Sequence, residues 1–124
     1  MASKFESVRR QLLRMKKETE KSLKSLRKQL ASASDNPRHS NHMADMAQDY
    51  SEQETLRNLI TCHENTLTLI LLALNRLNTH RYGICDKCGR EIDDERLRVL
   101  PYALLCLKCQ ENVEEANRRP RRKR

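Results

Sequence analysis

Four cysteines in two pairs, Cys85-Asp86-Lys87-Cys88 and Cys106-Leu107-Lys108-Cys109, constrain this chain more than any other feature in it. Seventeen residues separate the pairs. Each CxxC sets two sulfurs on one tight turn, and two such turns facing each other supply four thiolates at the corners of a tetrahedron. All-thiolate tetrahedral coordination suits zinc. Four protein ligands also leave no open position for a reactive water. The spacing therefore predicts one structural Zn2+ held by Cys85, Cys88, Cys106 and Cys109, and no catalytic metal. A thioredoxin-type redox centre would need a single CxxC in a βαβ setting, which this chain lacks.

Little of the remaining chain can form a large globular core. Only 37% of the 124 residues are apolar, Trp is absent, and Phe and Tyr together number four. Two Gly and three Pro among many Lys, Arg, Glu and Leu point to long helices, with the metal stapling a small remainder. Ser3-Lys4-Phe5-Glu6 reads as a capping box opening the first helix. Phe5, Val8, Leu12, Met15, Leu23, Leu26 and Leu30 follow at helical spacing, interrupted at Thr19 and Ser22. Glu6/Arg10 and Glu20/Lys24 are candidate i,i+4 pairs on the other faces. A single narrow seam along about 30 residues, or roughly 45 Å of helix, predicts a coiled-coil partner.

The pattern fails between Ala31 and Asp49, where Ser32, Ser34, Asp35, Asn36, Pro37, Ser40 and Asn41 favour a turn. It resumes at Leu56, Ile60, His63, Leu67, Ile70, Leu74 and Leu77, alternating steps of four and three. Two heptad-patterned helices joined by a polar connection fold back on each other. Leu69, Leu71 and Leu72 widen the second stripe, and Leu104, Leu105, Leu107 and Val113 are its candidate second partners. In the metal module, Gly89 suits a turn with positive φ, and Glu91-Ile92 with Leu97-Arg98-Val99 read as short hairpin strands. The second CxxC opens a final helix, with Glu111, Glu114 and Glu115 early and Arg118 and Arg119 late. The resulting expectation is a mostly α fold in three parts. Residues 1–80 form a long antiparallel coiled-coil hairpin with its tip near 35–49. Residues 81–117 form a four-cysteine zinc-finger globule with a C-terminal helix, and residues 118–124 a basic disordered tail.

The net charge of +8 is segregated: +7 over residues 1–34, −4 over 35–64, −1 over 65–117 and +6 over 118–124. The tail is either a phosphate contact or a solvated terminus. The acidic segment around Asp45 and Asp49 is either a solvated turn or a contact surface, and Met43, Ala44, Met46 and Ala47 crowd apolar groups beside its acids. Cys62 and His63 read as ordinary helix and seam residues. The apolar run at 67–74 is far short of the ~20 residues a membrane span needs. No signal peptide is visible in the first residues, and thiols kept for metal fit a reducing compartment, so the expected location is cytoplasmic. No nucleophile–base pair, phosphate-cradling glycine loop or open metal site suggests an enzyme.

Together these segments resemble the DksA/TraR family of bacterial transcription regulators. The resemblance rests on the hairpin, the tip His42-Met43-Ala44-Asp45-Met46-Ala47, the entry Tyr82-Gly83-Ile84-Cys85, and Arg96-Leu97-Arg98-Val99-Leu100-Pro101 leading to Cys106. It implies a protein that binds RNA polymerase directly, without direct DNA binding, inserting its coiled coil into the secondary channel while the zinc globule and last helix grip the rim; the expected state is a monomer. In the family the tip reads DxxDxA. Asp45 and Ala47 match the second Asp and the Ala, His42 stands at the first Asp position, and Asp49 offers a nearby acid. Where the family presents basic residues to the alarmone ppGpp, this chain has Leu69, Leu100 and Gln110, so no comparable ppGpp site is expected there. The competing expectation is a nucleic-acid-binding zinc ribbon using the basic first helix and tail. Any DNA contact through these basic residues is expected to be at most non-specific.

Overall fold

The computed structural model describes residues 2–35 and 43–118, with the side chains of residues 2, 3, 34, 35 and 43–45 outside that description. His42, Pro37 and the tail from Arg119 onward also lie outside the described residues. The described residues form four helices: α1 (Ala2–Asp35), α2 (Met43–Asn78), α3 (Asp94–Val99) and α4 (Leu107–Arg118). Neither long helix contains Gly or Pro, and both are rich in good helix formers. The fold is mostly α, as the sequence indicates.

α1 begins at Ala2, so Ser3 lies within its first turn rather than at its cap. The segment read as a turn between Ala31 and Asp49 is largely helical: α1 runs on to Asp35 and α2 starts at Met43. Ser32 and Ser34 are tolerated near a helix end, and no Gly or Pro follows Pro37 to delay the second helix.

The chain divides into two compact units, Leu13–Thr68 and a second formed by Met1–Leu12 with Leu69–Arg124. In the first, α1 and α2 pack side by side. Arg27 Nη2 donates to Glu64 Oε2 at 2.8 Å, across 37 residues of sequence. Leu23, only 2% exposed, anchors this unit. The seam along α1 consists of Met15, Thr19, Ser22, Leu26, Leu30 and Ala33, all half-buried, so Thr19 and Ser22 continue it rather than interrupt it. Heptad position decides which side chain faces the partner helix, and a small hydroxyl can occupy that position. On α2 the seam is Gln53, Leu56, Ile60, His63 and Leu67, each half-buried at the predicted spacing. Glu20 pairs with Lys16 at 3.8 Å, one turn earlier on the helix, rather than with Lys24.

The second unit holds most of the buried apolar side chains: Leu12, Ile70, Ala73, Leu77, Cys85 and Ile92, with Pro101 fully buried. Phe5 of α1 meets Tyr82 edge-to-face at 6.3 Å, and the Tyr82 hydroxyl donates to the Pro101 carbonyl at 2.8 Å. Burial raises the Tyr82 pKa to about 12. The expected strand at Leu97-Arg98-Val99 is instead α3. Asp94 and Glu95 in its first turn and Arg96 and Arg98 in its last complement the helix dipole. In a strand Leu97 and Val99 would share a face. Here Leu97 is half-buried, and Val99 is 78% exposed. Among the described residues, strand-like pairing is confined to an isolated antiparallel bridge between Ile84 and Glu91.

Candidate metal centre and the surrounding groove

The first knuckle is built by backbone hydrogen bonds around two left-handed glycines. Cys85 N donates to Arg90 O at 2.8 Å, Gly89 N to Cys85 O at 3.0 Å, and Ile92 N to Gly83 O at 2.7 Å. Gly83 (φ 82°) and Gly89 (φ 74°) adopt the region that favours glycine, as the turn reading of Gly89 requires. The second knuckle uses a helix end. Cys106 immediately precedes α4 and accepts from Gln110 N at 2.9 Å, while Cys109 sits in the first turn. Asp86 N donates to Leu104 O at 2.9 Å, tying the first turn to the approach to the second.

This arrangement brings all four sulfurs within 4.8 Å of one another. Ligands at the Zn–S distance of about 2.3 Å on a tetrahedron lie about 3.8 Å apart. Cys88 Sγ and Cys106 Sγ are separated by 3.8 Å. Cys85 is buried, Cys106 and Cys109 half-buried, and Cys88 exposed. The donor set therefore fits a single zinc ion with no position left for water, and such an ion would act by cross-linking the two turns.

The thiol chemistry agrees. Burial opposes ionisation of Cys85, but backbone N–H groups of Cys88, Cys106 and Lys87 overcome it and lower its pKa to about 6. Cys109, hydrogen-bonded to Cys106 and partly desolvated, is pushed up to about 12. Four sulfurs this close cannot all ionise unaided. A divalent cation removes the conflict by compensating the negative charge.

An Arg–carboxylate fork, not anticipated from sequence, holds the first knuckle against α2. Arg76 Nε donates to Asp86 Oδ1 at 3.0 Å, and its Nη2 forms a second, shorter contact with Asp86 Oδ2. Bidentate geometry of this kind fixes orientation as well as distance. Nothing in the spacing of Arg76 and Asp86 announces the pair, because the turn at 79–84 decides it.

Beside the knuckles lies a groove of about 550 Å³ lined by Leu69, Leu100, Leu104, Leu105, Leu107 and Gln110, among others. Leu69 lines this groove together with Leu104, Leu105 and Leu107, whereas Leu71 and Leu72 remain 46% and 38% exposed. Leu69, Leu100 and Gln110, far apart in sequence, converge on this one groove. Its charged lining consists of Arg96, whose Nε donates to Leu105 O at 3.1 Å, and the carboxylates of Asp86, Glu111 and Glu114.

Of the proposed tip residues, Asp45, Ala47 and Asp49 lie in the first turns of α2. Ala47 is exposed and Asp49 half-buried, while His42 and the Asp45 side chain are outside the described residues. Met46 (57% exposed) and Tyr50 (66%) stand one turn apart next to them. Tyr50 was not singled out from sequence, although its i+4 relation to Met46 was available as a signal.

Residues 80–115 match the family described as the prokaryotic dksA/traR C4-type zinc finger. An uncharacterised protein of Aquifex aeolicus is 40% identical over 70 residues, which is 56% of this chain and 48% of that protein. The RNA polymerase-binding transcription factor DksA of Haemophilus influenzae is 44% identical over 41 residues, or 33% of this chain and 28% of that protein. The chain thus matches about half the length of the first relative and less of the second. Among solved structures, transcription factor DksA2 from Pseudomonas aeruginosa aligns with a TM-score of 0.75 at 26% identity, covering 94% of this chain and 88% of that one.

Proposed function

We propose that this chain, whose residues 80–115 are a zinc finger of the DksA/TraR type, is a transcription regulator that acts by binding RNA polymerase. The observation that carries the reading is the alignment to DksA2, because it runs through the long helices as well as the finger and covers 94% of this chain. A zinc-finger match alone would leave the helices without a role.

In this reading the paired helices enter the secondary channel of the polymerase and present Asp45 near its catalytic centre. A channel that admits nucleotides and metal is basic inside, so an acidic helix end is steered into it. The zinc, held by Cys85, Cys88, Cys106 and Cys109, keeps the finger folded and takes no part in chemistry. Asp49 supplies a second acid where His42 replaces the family's first. The leucine-lined groove does not take ppGpp: Leu69 and Leu100 cannot donate to phosphate, and Glu111 and Glu114 repel it.

The test is Asp45→Asn. The variant should bind polymerase with nearly unchanged affinity, yet lose its effect on open-complex lifetime. Wild-type behaviour in that assay would remove Asp45 from the mechanism. For the groove, calorimetry on the polymerase complex should detect no ppGpp binding that depends on Leu69, Leu100 or Gln110.

A further inference from the structure

The groove of about 550 Å³ beside the knuckles is lined by Leu69 of α2, by Leu100, Leu104 and Leu105 on the approach to the second knuckle, and by Leu107 of α4. The first four are half-buried and Leu107 is 55% exposed, so none of the five completes its burial within the chain. On α4, Leu107, Gln110, Glu111 and Glu114 recur at steps of three, one and three. That spacing places them on one helix face about 10 Å long, or two turns. The charge this face offers is acidic. Glu111 and Glu114 are exposed, and among the described residues neither is in an ion pair; Glu114 accepts from the Gln110 amide at 3.2 Å. Arg76 already compensates Asp86, and Arg96, half-buried, is turned to the Leu105 carbonyl.

We infer that this groove docks a basic amphipathic segment of RNA polymerase, about two helical turns with aliphatic side chains on one face and Lys or Arg beside them. The inference rests on the polymerase reading and names the chemistry of one contact within it. Unfinished leucines supply the apolar centre that a protein contact needs, and the Glu111–Glu114 pair supplies a polar rim of one sign. A small ligand is a poorer match. Such sites fix their occupant with a few convergent polar groups, whereas Arg96, Asp86 and Gln110 are turned to partners within the chain. The same two carboxylates repel nucleic acid and acidic segments. What they attract is a cation set beside an aliphatic side chain.

The test measures the affinity of the full-length, zinc-loaded chain for purified RNA polymerase, with the photocrosslinker benzoylphenylalanine in place of Leu107 to identify the segment met. The L104S/L107S variant should keep its zinc and bind about tenfold more weakly, as expected when the centre of a contact is lost. Leu71→Ser, which removes a leucine 46% exposed but outside the groove, should stay within about twofold of wild type. The E111K/E114K variant changes only exposed positions. It should weaken binding by roughly tenfold at low salt and by less as salt rises, because screening removes the repulsion. Crosslinks should fall in a polymerase segment carrying Lys or Arg beside aliphatic residues at helical spacing. Unchanged affinity in either groove variant overturns the inference and leaves the polymerase reading standing, as do crosslinks to an acidic segment, to nucleic acid or to a second copy of the chain. A wild-type chain that does not bind polymerase overturns the reading and the inference together.

Discussion

Leu23 is the side chain on which the paired-helix unit most depends, and Leu23→Ala tests how that unit is held. It is 2% exposed, while the other seam residues of Leu13–Thr68 are only half-buried. Truncation to Ala removes three carbons, which at about 0.8 kcal/mol each is about 2.4 kcal/mol of lost transfer energy. A cavity penalty normally adds to this and takes Leu→Ala up to about 5 kcal/mol. Here the surroundings can collapse. Leu23 borders an open cleft of about 380 Å³ shared with Glu20, Arg27, Glu64, Leu67 and Thr68, most of them long or exposed side chains free to fill the space. The expected loss therefore stays near the transfer value, which corresponds to about a 50-fold rise in the opening equilibrium. Native-state amide exchange reads this directly. Protection across residues 13–35 and 43–68 should fall by that factor, while amides in the knuckle around Cys85 and Ile92 keep theirs. Leu13→Ala, at a position 48% exposed, should change little. If protection in the knuckle falls equally, or Leu13→Ala costs as much as Leu23→Ala, the seam argument fails.

Other perturbations probe the metal module. Metal analysis should find one zinc per chain, and Cys106→Ser or strong chelation should remove it and unfold residues 81–117, as followed by near-ultraviolet dichroism. Arg76→Ala should lower thermal stability by about 1–2 kcal/mol, with Lys recovering only part because it cannot reproduce the fork to Asp86. Gly83→Ala and Gly89→Ala should each lower stability in denaturant melts by similar amounts, because both sit at positive φ while the added methyl meets only ordinary contact with Leu97 Cδ1 at 3.4 Å in the first case and nothing within 4 Å in the second. Tyr82 has a raised pKa, so the unfolded chain ionises first. Stability contributed by its neutral form is full below pH 10 and is lost as pH rises toward about 12. Tyr82→Phe should abolish that component of the alkaline melt.

The local signals were legible because the physics behind them is local. A CxxC pair fixes two sulfurs within one turn whatever surrounds it, and the 3–4 spacing of Leu56, Ile60, His63 and Leu67 fixes one helix face. Both readings hold in the structure. Thr19 and Ser22 show the same rule from the other side: polarity suggested a break, but position kept them in the seam. Leu97 and Val99 alternate as strand residues do, but the charges of Asp94, Glu95, Arg96 and Arg98 match the dipole of a short helix, and the helix forms.

By itself, the sequence determined the zinc ligands and the two long helices, because each follows from bonds and periodicity among residues a few positions apart. Only the tertiary structure decided that Arg76 grips Asp86, that Leu69 is half-buried while Leu71 and Leu72 are exposed, and that Leu69, Leu100 and Gln110 share one groove. Those outcomes depend on where the left-handed turns at His80, Gly83 and Gly89 send the chain. A few degrees of backbone rotation there move distant side chains by whole residues' widths, and no spacing along the chain records that.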